Sequence, residues 1–340
     1  MKNYFEHPGR VVEIDARFKY AMAITLDPSA QYKRGVIRCI TSRSGTIGIR
    51  GNVDRSELCF VKGDSFEQYS IGGRLGMKNE EEILKQITPP GADFIGFEDP
   101  DIWIDEKTKE KHLYFTIPFR MIDEHDEHWT KIMLGHAVGR DLESLTMTLP
   151  VLGPVGSDRS GAKEVSIAPL NKQGFRYNLV ESSSTDNETH YSTVRVAIAE
   201  DMGKPWKFGE TVFHPKAMNI PWIGGHASPG PLTTKKFLDV GKGKLLGFMN
   251  GREANQKVGE KIKYRIFSIG LFIYDYENGR IDWVSPRSFI RDSEAKTITF
   301  ASQFIEQGKG RGILYAHVDD SFVRAYTIEA EKIKKLLKNF

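Results

Sequence analysis

Residues 269–284, IGLFIYDYENGRIDWV, contain the pattern that decides the fold of this chain. A run of β-branched, aromatic and leucine residues ends at an acidic turn with a glycine, and a second β run follows. Residues 132–145 and 194–208 show the same pattern, and residues 47–66 contain a fainter copy. The copies lie at unequal intervals, so they predict separate small antiparallel sheets, the blades of a propeller, and not a solenoid.

The rest of the chain has the same β character, with 32 glycines and 15 prolines to form turns. We therefore predict an all-β fold, a five-bladed β-propeller with a short C-terminal helix, in which residues 1–340 form a single domain. Two packed sheets of a β-sandwich are the competing architecture. Helices are expected at 78–85, which contains a run of Glu, and at 328–337, where apolar residues recur every third or fourth position. Strands are predicted at residues 35–40, 112–117, 131–138, 176–181, 194–198, 244–250, 266–274, 313–317 and 323–328.

Composition excludes several classes of protein. The formal net charge is +3, from 48 basic and 45 acidic side chains spread along the chain, so nothing predicts a nucleic-acid partner. The N-terminal residues contain no apolar run typical of a signal peptide or membrane span, and we expect a cytoplasmic protein without membrane contact. Cys39 and Cys59 are compatible with buried thiols or with one disulfide, and no Cys/His cluster predicts a metal or other cofactor.

The acidic stretch at residues 97–103, FEDPDIW, is the first candidate for chemistry. Pro100 fixes its own φ and favours an extended Asp99. Alternate side chains of an extended segment point to opposite faces, so Asp99 and Asp101 are expected to share one face and Glu98 to take the other. The apolar flanks suggest half-buried carboxyl groups, and burial can raise a carboxyl pKa enough for acid catalysis near neutral pH. The alternative is an acidic surface turn.

Four further polar clusters lie near predicted strands. The inner strands of a propeller converge on its axis, so such side chains can meet although they are far apart in sequence. Two of the clusters have simpler interpretations, a surface ion pair for Lys163 with Glu164 and a His226 bonded only to backbone. The clusters are Asn52, Asp54 and Arg55; Lys163 and Glu164; His226 within residues 222–231, interpreted as a rigid irregular loop; and residues 315–320, which include Asp319.

The order of these clusters resembles the β-mannoside phosphorylase family, which has a five-bladed β-propeller fold and also contains β-mannosidase hydrolases. Glu98-Asp99-Pro100 resemble its Glu-Asp-Pro-Arg motif, with Asp101 in place of the arginine. Residues 163–169 are similar to its Lys-Asp-Ala-x-Leu-Phe-Pro motif, and residues 224–231 to its Gly-x-Gly-x-x-Pro-Pro loop. Tyr264-Arg265 and residues 315–319 resemble two later motifs, so the resemblance extends from residue 90 to the C-terminus.

The resemblance implies roles for individual residues. Asp99 is expected to be the general acid, which in this family protonates the glycosidic oxygen through a sugar hydroxyl. Glu164, Arg265 and Asp319 match positions that hold sugar hydroxyls, with Tyr264 beside them, and charged groups suit adjacent hydroxyls. Asn52, Asp54, Arg55, Glu98, Asp101, Lys163 and His226 complete the set of residues expected to bind substrate.

Two departures from the family bear on the reaction. The motif arginine is replaced by Asp101, and residues 248–251, FMNG, lack the family's phosphate-binding His, although Lys163 remains and Arg252 or Arg120 is available as a substitute. An acidic pocket opposes anion binding, so we expect a hydrolase, inverting in stereochemistry, acting on a β-mannoside or related oligosaccharide. The alternatives are a phosphorylase that uses inorganic phosphate, and a non-catalytic carbohydrate-binding propeller.

An inverting hydrolase also needs a second carboxylate, separated from the acid by room for a water molecule. Glu164, Asp319 and Asp54 are the candidates for this base, and the sequence does not choose among them. Three tryptophans are candidates for stacking on sugar rings or for core packing, with the core favoured because Trp is highly buried on average. They are Trp103, Trp129 and Trp222.

Overall fold

The computed structural model describes residues 3–47, 49, 51–122, 128–154, 161–186, 189–259 and 261–337. This part of the chain is mostly β, with three α-helices, α1 (Glu80–Ile87), α2 (Pro215–Met218) and α3 (Ala330–Leu337). The strands are, in chain order, β1 (Tyr4–Glu6), β2 (Val12–Glu13), β3 (Tyr20–Leu26), β4 (Arg34–Ser44), β5 (Val53–Ser65), β6 (Gln68–Arg74), β7 (Asp93–Phe94), β8 (Glu98–Ile104), β9 (Lys111–Ile122), β10 (His128–Gly139), β11 (Thr146–Met147), β12 (Lys163–Ser166), β13 (Arg176–Asp186), β14 (Thr189–Ala199), β15 (Lys207–Phe213), β16 (His226–Leu232), β17 (Lys244–Arg252), β18 (Gln256–Val258), β19 (Lys261–Lys263), β20 (Phe267–Asp275), β21 (Arg280–Val284), β22 (Thr299–Gly308), β23 (Arg311–Val318) and β24 (Phe322–Glu329).

Most neighbouring strands in each sheet are also neighbours in sequence, and they pair antiparallel. One sheet has the order β2-β6-β5-β4-β3, a second the order β22-β23-β24-β1, and a third joins β7 and β8 to β9-β10-β11. The largest sheet runs β12-β13-β14-β16-β17-β20-β21, with β15 beside β14. Its two halves meet through one parallel pair, Ser192 with His226. This architecture of small antiparallel sheets is propeller-like.

Five strands that each begin an antiparallel series contact one another in a closed order. β3 contacts β8 and β22, β16 contacts β12 and β22, and β8 contacts β12. Each of these five strands has a register shift against its partner strand, the mark of a β-bulge. The bulges redirect side chains at the point where the strands meet, which is where the carboxyl groups of the candidate site lie.

The sequence prediction of an all-β fold is confirmed. All nine predicted strands lie in strands of the structure to within one residue, and the repeat pattern corresponds to β10–β11, β14–β15 and β20–β21. The helices predicted at 78–85 and 328–337 are α1 and α3, each of which begins two residues later. α3 buries Ile333 against the β24 side of the core.

Three local interpretations are resolved by the structure. Residues 226–232 are not an irregular loop but the strand β16, and its proline Pro229 lies at the bulge, where a missing N–H is tolerated. Cys39 and Cys59 are buried free thiols on adjacent strands. Trp222 is buried, and its indole N–H donates to the carbonyl of Ser285 at 2.9 Å, while Trp103 packs against His112 and Arg176.

Among the described residues, no helix combines the length and apolar composition that crossing a bilayer requires.

Candidate functional site

A cavity of about 900 Å³ opens at the ends of several hairpins. Its walls come from the β9–β10, β13–β14 and β18–β19 hairpins and from the starts of β12, β16 and β20. Both charged and aromatic side chains line these walls, as in pockets that bind a polar ligand with apolar faces. The charged and aromatic lining residues are Trp129, Lys163, Glu181, His190, Tyr191, His226, Arg252, Lys257, Tyr264, Arg265, Phe267 and Asp320.

Arg38 holds the acidic stretch in place. Its guanidinium bonds the carboxylates of Glu98 and Asp99, the latter at 3.1 Å, and donates from Nε to the hydroxyl of Ser56 at 3.2 Å. Ser56 in turn donates to the carbonyl of Phe97 at 2.9 Å. Arg38 is 7% exposed, so these charge-assisted bonds are shielded from water, and they fix both carboxylates.

The β-bulge in β8 explains why two consecutive acids reach the same arginine. Asp99 has φ 49°, in the left-handed region, and the register shifts between Glu98 and Asp101. The sequence-based expectation that Asp99 and Asp101 share a face with Glu98 opposite was therefore wrong, because it assumed a regular pleat. Asp101 instead lies next to Tyr114, and burial raises the pKa of Asp101 to about 7.

Asp99 and Glu164 form a pair of carboxyl groups that come from two different strands. The two carboxyl groups lie close enough for the charge of Asp99 to act on the pKa of Glu164. Burial raises the pKa of Glu164 well above its ordinary value, and the charge of Asp99 raises it further. Glu164 is therefore the carboxyl of this pair for which the protonated form is favoured. Glu164 also has a positive φ, 52°, at the bulge of β12.

Lys163 connects this pair to the cavity wall. Its ammonium lies 3.5 Å from Glu181, whose other carboxylate oxygen lies 3.1 Å from Nε2 of His226. Burial opposes ionisation of Glu181, but His226 and Lys163 outweigh it and lower the Glu181 pKa to about 2. Burial lowers the pKa of His226, so its ring is neutral at pH 7. Glu98, Asp99 and Glu164 do not themselves line the cavity, which makes Lys163 the link between them and the ligand space.

Glu98 is a further carboxyl group of this cluster, and its pKa is raised. Burial raises it to about 7, while Arg38 opposes the rise and Asp99 adds to it. A second ion pair supports this region, because Arg43 binds Asp54 through two bonds of 2.6 Å. Asp320 lines the cavity and lies 3.1 Å from Nε2 of His317.

The structure brings together only part of the set named from the sequence. Asn52, Lys163, His226, Tyr264 and Arg265 line the cavity, and Asp99, Glu164 and Glu98 form the acidic cluster next to it.

Two other residues of that set are engaged elsewhere. Arg55 is an exposed residue that pairs with Asp93 at 2.5 Å. Asp319 accepts hydrogen bonds from the backbone N–H groups of residues 296–298, at 2.8 to 2.9 Å. Its neighbour Asp320, and not Asp319, faces the cavity.

Sequence reasoning missed Arg38, Arg43 and Glu181, included Asp320 only within the cluster at residues 315–320, and gave Arg252 only a substitute's role. A signal existed for Arg38 and Glu181, because each is a charged residue inside or at the end of a predicted strand. Such a charge is rarely buried without a partner. The sequence pointed to Asp319 and not to Asp320, since which of the two faces the cavity depends on the turn geometry after β23. Among the described residues, no group of three or more His, Cys, Asp or Glu side chains is arranged to hold a metal ion.

No protein-family model matches this chain, and no curated protein matches it. Solved structures do share its fold. The β-1,2-mannobiose phosphorylase from Listeria innocua, in complex with β-1,2-mannobiose, has a TM-score of 0.64 at 11% identity, over 99% of this chain and 100% of that one. A structure from the GH130 family of mannoside phosphorylases, described as containing hydrolases that target β-1,2-mannosidic linkages in Candida mannan, has a TM-score of 0.63 at 15% identity, over 97% and 94%.

A glycosyl hydrolase from Bacteroides ovatus has a TM-score of 0.59 at 15% identity, over 93% of this chain and 85% of that one. At these identities the likeness shows the fold: this chain has the propeller-type fold seen in glycosidases and mannoside phosphorylases.

Proposed function

We propose that this protein is an enzyme that cleaves a β-mannosidic or related glycosidic bond in the 900 Å³ cavity. The observation that carries the proposal is the Asp99–Glu164 carboxyl pair beside the cavity, in which burial raises the pKa of Glu164 and the cations Arg38 and Lys163 lie next to the two acids. Glycosidases protonate the departing oxygen with a carboxylic acid whose pKa is raised, and this pair supplies such an acid.

In this mechanism Asp99 delivers the proton, through a sugar hydroxyl, and Glu164 stores it between turnovers. Arg38 holds Asp99 in its strained conformation and favours the carboxylate that forms after the transfer. Lys163 and Glu181 orient the sugar at the cavity wall, with His226 as a neutral hydrogen-bonding group. Pre-positioning of this kind is a large part of catalytic acceleration.

For the acceptor of the sugar we propose water, and therefore inverting hydrolysis. Glu164 lies beside Asp99 and does not line the cavity, so it does not suit the role of a base that acts on a water molecule across the sugar from the acid. Asp54 is paired with Arg43, and Asp319 accepts hydrogen bonds from backbone amides, so neither carboxylate is available as the base. Asp320 suits the role better, because it lines the cavity and is ionised: burial opposes this, but His317 and Arg38 lower its pKa.

Phosphorolysis is the second candidate function, and a specific observation favours it. The cavity wall carries the cations Lys163, Arg252, Lys257 and Arg265 against the carboxylates Glu181 and Asp320, which suits an anionic acceptor such as inorganic phosphate.

We also propose that the sheets are five blades of one domain. The closed order of contacts among β3, β8, β12, β16 and β22 supports this arrangement, since each strand would be the innermost strand of a blade. β1 would then be the outer strand of the last blade, beside β24.

The proposal predicts that Asp99→Asn folds normally and lowers kcat on β-linked manno-oligosaccharides by roughly 10²- to 10⁴-fold, the usual contribution of a general acid. Product release is measured with and without inorganic phosphate. Release of mannose in the absence of phosphate identifies hydrolysis, whereas phosphate-dependent formation of mannose 1-phosphate identifies phosphorolysis. The exposed Asp64→Asn serves as the control. Near wild-type turnover by Asp99→Asn would refute the assignment of Asp99 as the acid. If the wild-type protein bound these oligosaccharides but did not cleave them at any pH from about 5 to 8, a non-catalytic propeller would be favoured.

A further inference from the structure

Arg252 is a buried cation on the cavity wall that lacks a carboxylate partner among the described residues. It is 6% exposed, and its Nε has no hydrogen-bond partner. Its guanidinium stacks on Tyr264, 4.2 Å from the ring centroid, and lies 5.3 Å from the ring of Phe267. Two aromatic neighbours fix the plane of the guanidinium but do not balance its charge.

The other buried arginines of the described chain are satisfied in different ways. Arg38 binds Glu98 and Asp99, Arg324 binds Asp292 at 3.0 Å, and Arg176 donates to the carbonyl of Ala168 at 2.7 Å. Arg252 differs from all three in its buried Nε, which has no acceptor in the described part of the chain. A buried donor without an acceptor is costly, so this group indicates that its partner comes from outside the chain.

The surroundings of Arg252 favour an anion. Burial lowers the pKa of Arg252, yet it remains far above neutrality and the group stays charged. Lys257 lies on the same wall, and Arg265 is paired with Glu253 at 3.1 Å. The hydroxyl of Ser182, also in the wall, is a second buried polar group without a partner.

The position of Arg252 separates it from the reacting end of the cavity. The contacts run from the Asp99–Glu164 pair to Lys163, Glu181 and His226, and His226 lies opposite Arg252 on the paired strand β16. Arg252 is therefore separated from the Asp99–Glu164 pair by Lys163, Glu181 and His226.

We propose that Arg252 binds an anionic substituent of the saccharide, a carboxylate or a phosphate ester, so that the substrate is an acidic glycan. The inference rests on the proposed function and names its substrate class. A guanidinium held flat against an aromatic ring presents its N–H donors in a fixed fork, which matches the oxygens of such a group. The bound anion supplies the ion-pair partner that Arg252 lacks among the described residues.

Calorimetric binding at pH 7 tests this with mannose, mannuronate, mannose 6-phosphate and inorganic phosphate as probes. We expect the wild type to bind at least one of the two anionic sugars about tenfold more tightly than mannose, as a charge-assisted fork allows. Arg252→Met should remove the difference, because Met can pack on Tyr264 but carries no charge. Arg252→Lys keeps the charge and should retain part of the preference for anionic sugars. This variant shows whether a preference lost in Arg252→Met reflects the missing charge or only disturbed packing.

Arg195→Met is the matched control, because Arg195 also stacks on a ring, that of Phe208, but lies outside the cavity wall. It should leave the preference intact. Equal affinity for neutral and anionic sugars would overturn the proposal, as would phosphate alone binding at Arg252 as tightly as the anionic sugars. Because binding needs no turnover, an Arg252-dependent preference without any cleavage would overturn only the proposed function.

Discussion

At the scale of single residues, Asp99 depends on partners that lie far away in sequence. Arg38 comes from β4 and Glu164 from β12, and the two approach Asp99 from neighbouring strands. The sequence directed attention to Asp99 through Pro100 and the acids around it, but the proximity of Glu164 and the bond from Arg38 appear only in the folded chain. A carboxylate acquires catalytic properties from such neighbours.

Arg38 offers the sharpest test at this scale. Arg38→Gln should lower kcat by roughly 100-fold with a smaller change in KM, because Asp99 loses its positioning while the cavity wall stays intact. Arg38 also lowers the pKa of Glu98, so its removal should move the titration near pH 7 upwards. The pH profile of kcat/KM measures this shift. Arg38→Lys should recover part of kcat, and an unshifted profile in Arg38→Gln would contradict the role.

At the scale of elements, the bulged inner strands decide which side chains face the cavity. β16 shows the effect, because its glycines and prolines suggest a loop, yet it pairs with β17 over most of its length. The turn after β23 shows another effect, since Asp319 binds backbone amides of the segment before β22 and leaves Asp320 to face the cavity. Asp319 thus connects two elements of the last sheet.

Asp319→Ala should destabilise the protein by about 2 to 4 kcal/mol, because three backbone N–H groups and the hydroxyl of Thr297 lose their acceptor. Chemical denaturation measures the free energy of unfolding. Asp239→Ala is the control, since the exposed Asp239 accepts a single N–H, from Gly241. If Asp319→Ala kept wild-type stability but lost sugar binding, Asp319 would contact substrate as its sequence motif suggests.

At the scale of the whole molecule, stability depends on pH through buried groups outside the site. His136 is fully buried, with one ring nitrogen 2.9 Å from His112 and the other 2.8 Å from Thr148. Burial, together with the neighbouring His112, lowers the pKa of His136 to about 3. In the unfolded chain the imidazole of His136 binds a proton near pH 6.5. The contribution of neutral His136 to the free energy of unfolding is therefore fully present above about pH 6.5 and is lost as the pH falls towards 3.

Between pH 6.5 and 4, the free energy of unfolding of the wild type should therefore fall by about 3 kcal/mol more than that of His136→Gln. Glu98 and Asp101 act in the opposite sense, since their raised pKa values favour the folded state as the pH falls below 7. Comparing the two proteins cancels that contribution. Thermal unfolding at several pH values gives the difference, with the exposed His190→Gln as control, and parallel curves would contradict the assignment.

The sequence by itself determined the all-β class, most strand positions and the helices α1 and α3. These follow from local patterns, namely β runs, glycine turns and helical spacing. Only the tertiary structure decided that Glu98 and Asp99 share Arg38, that Glu164 pairs with Asp99, and that Asp320 and Arg252 face the cavity. These contacts join residues distant in sequence through β-bulges, and a bulge changes the facing of side chains without changing the hydrophobic pattern that identifies the strand.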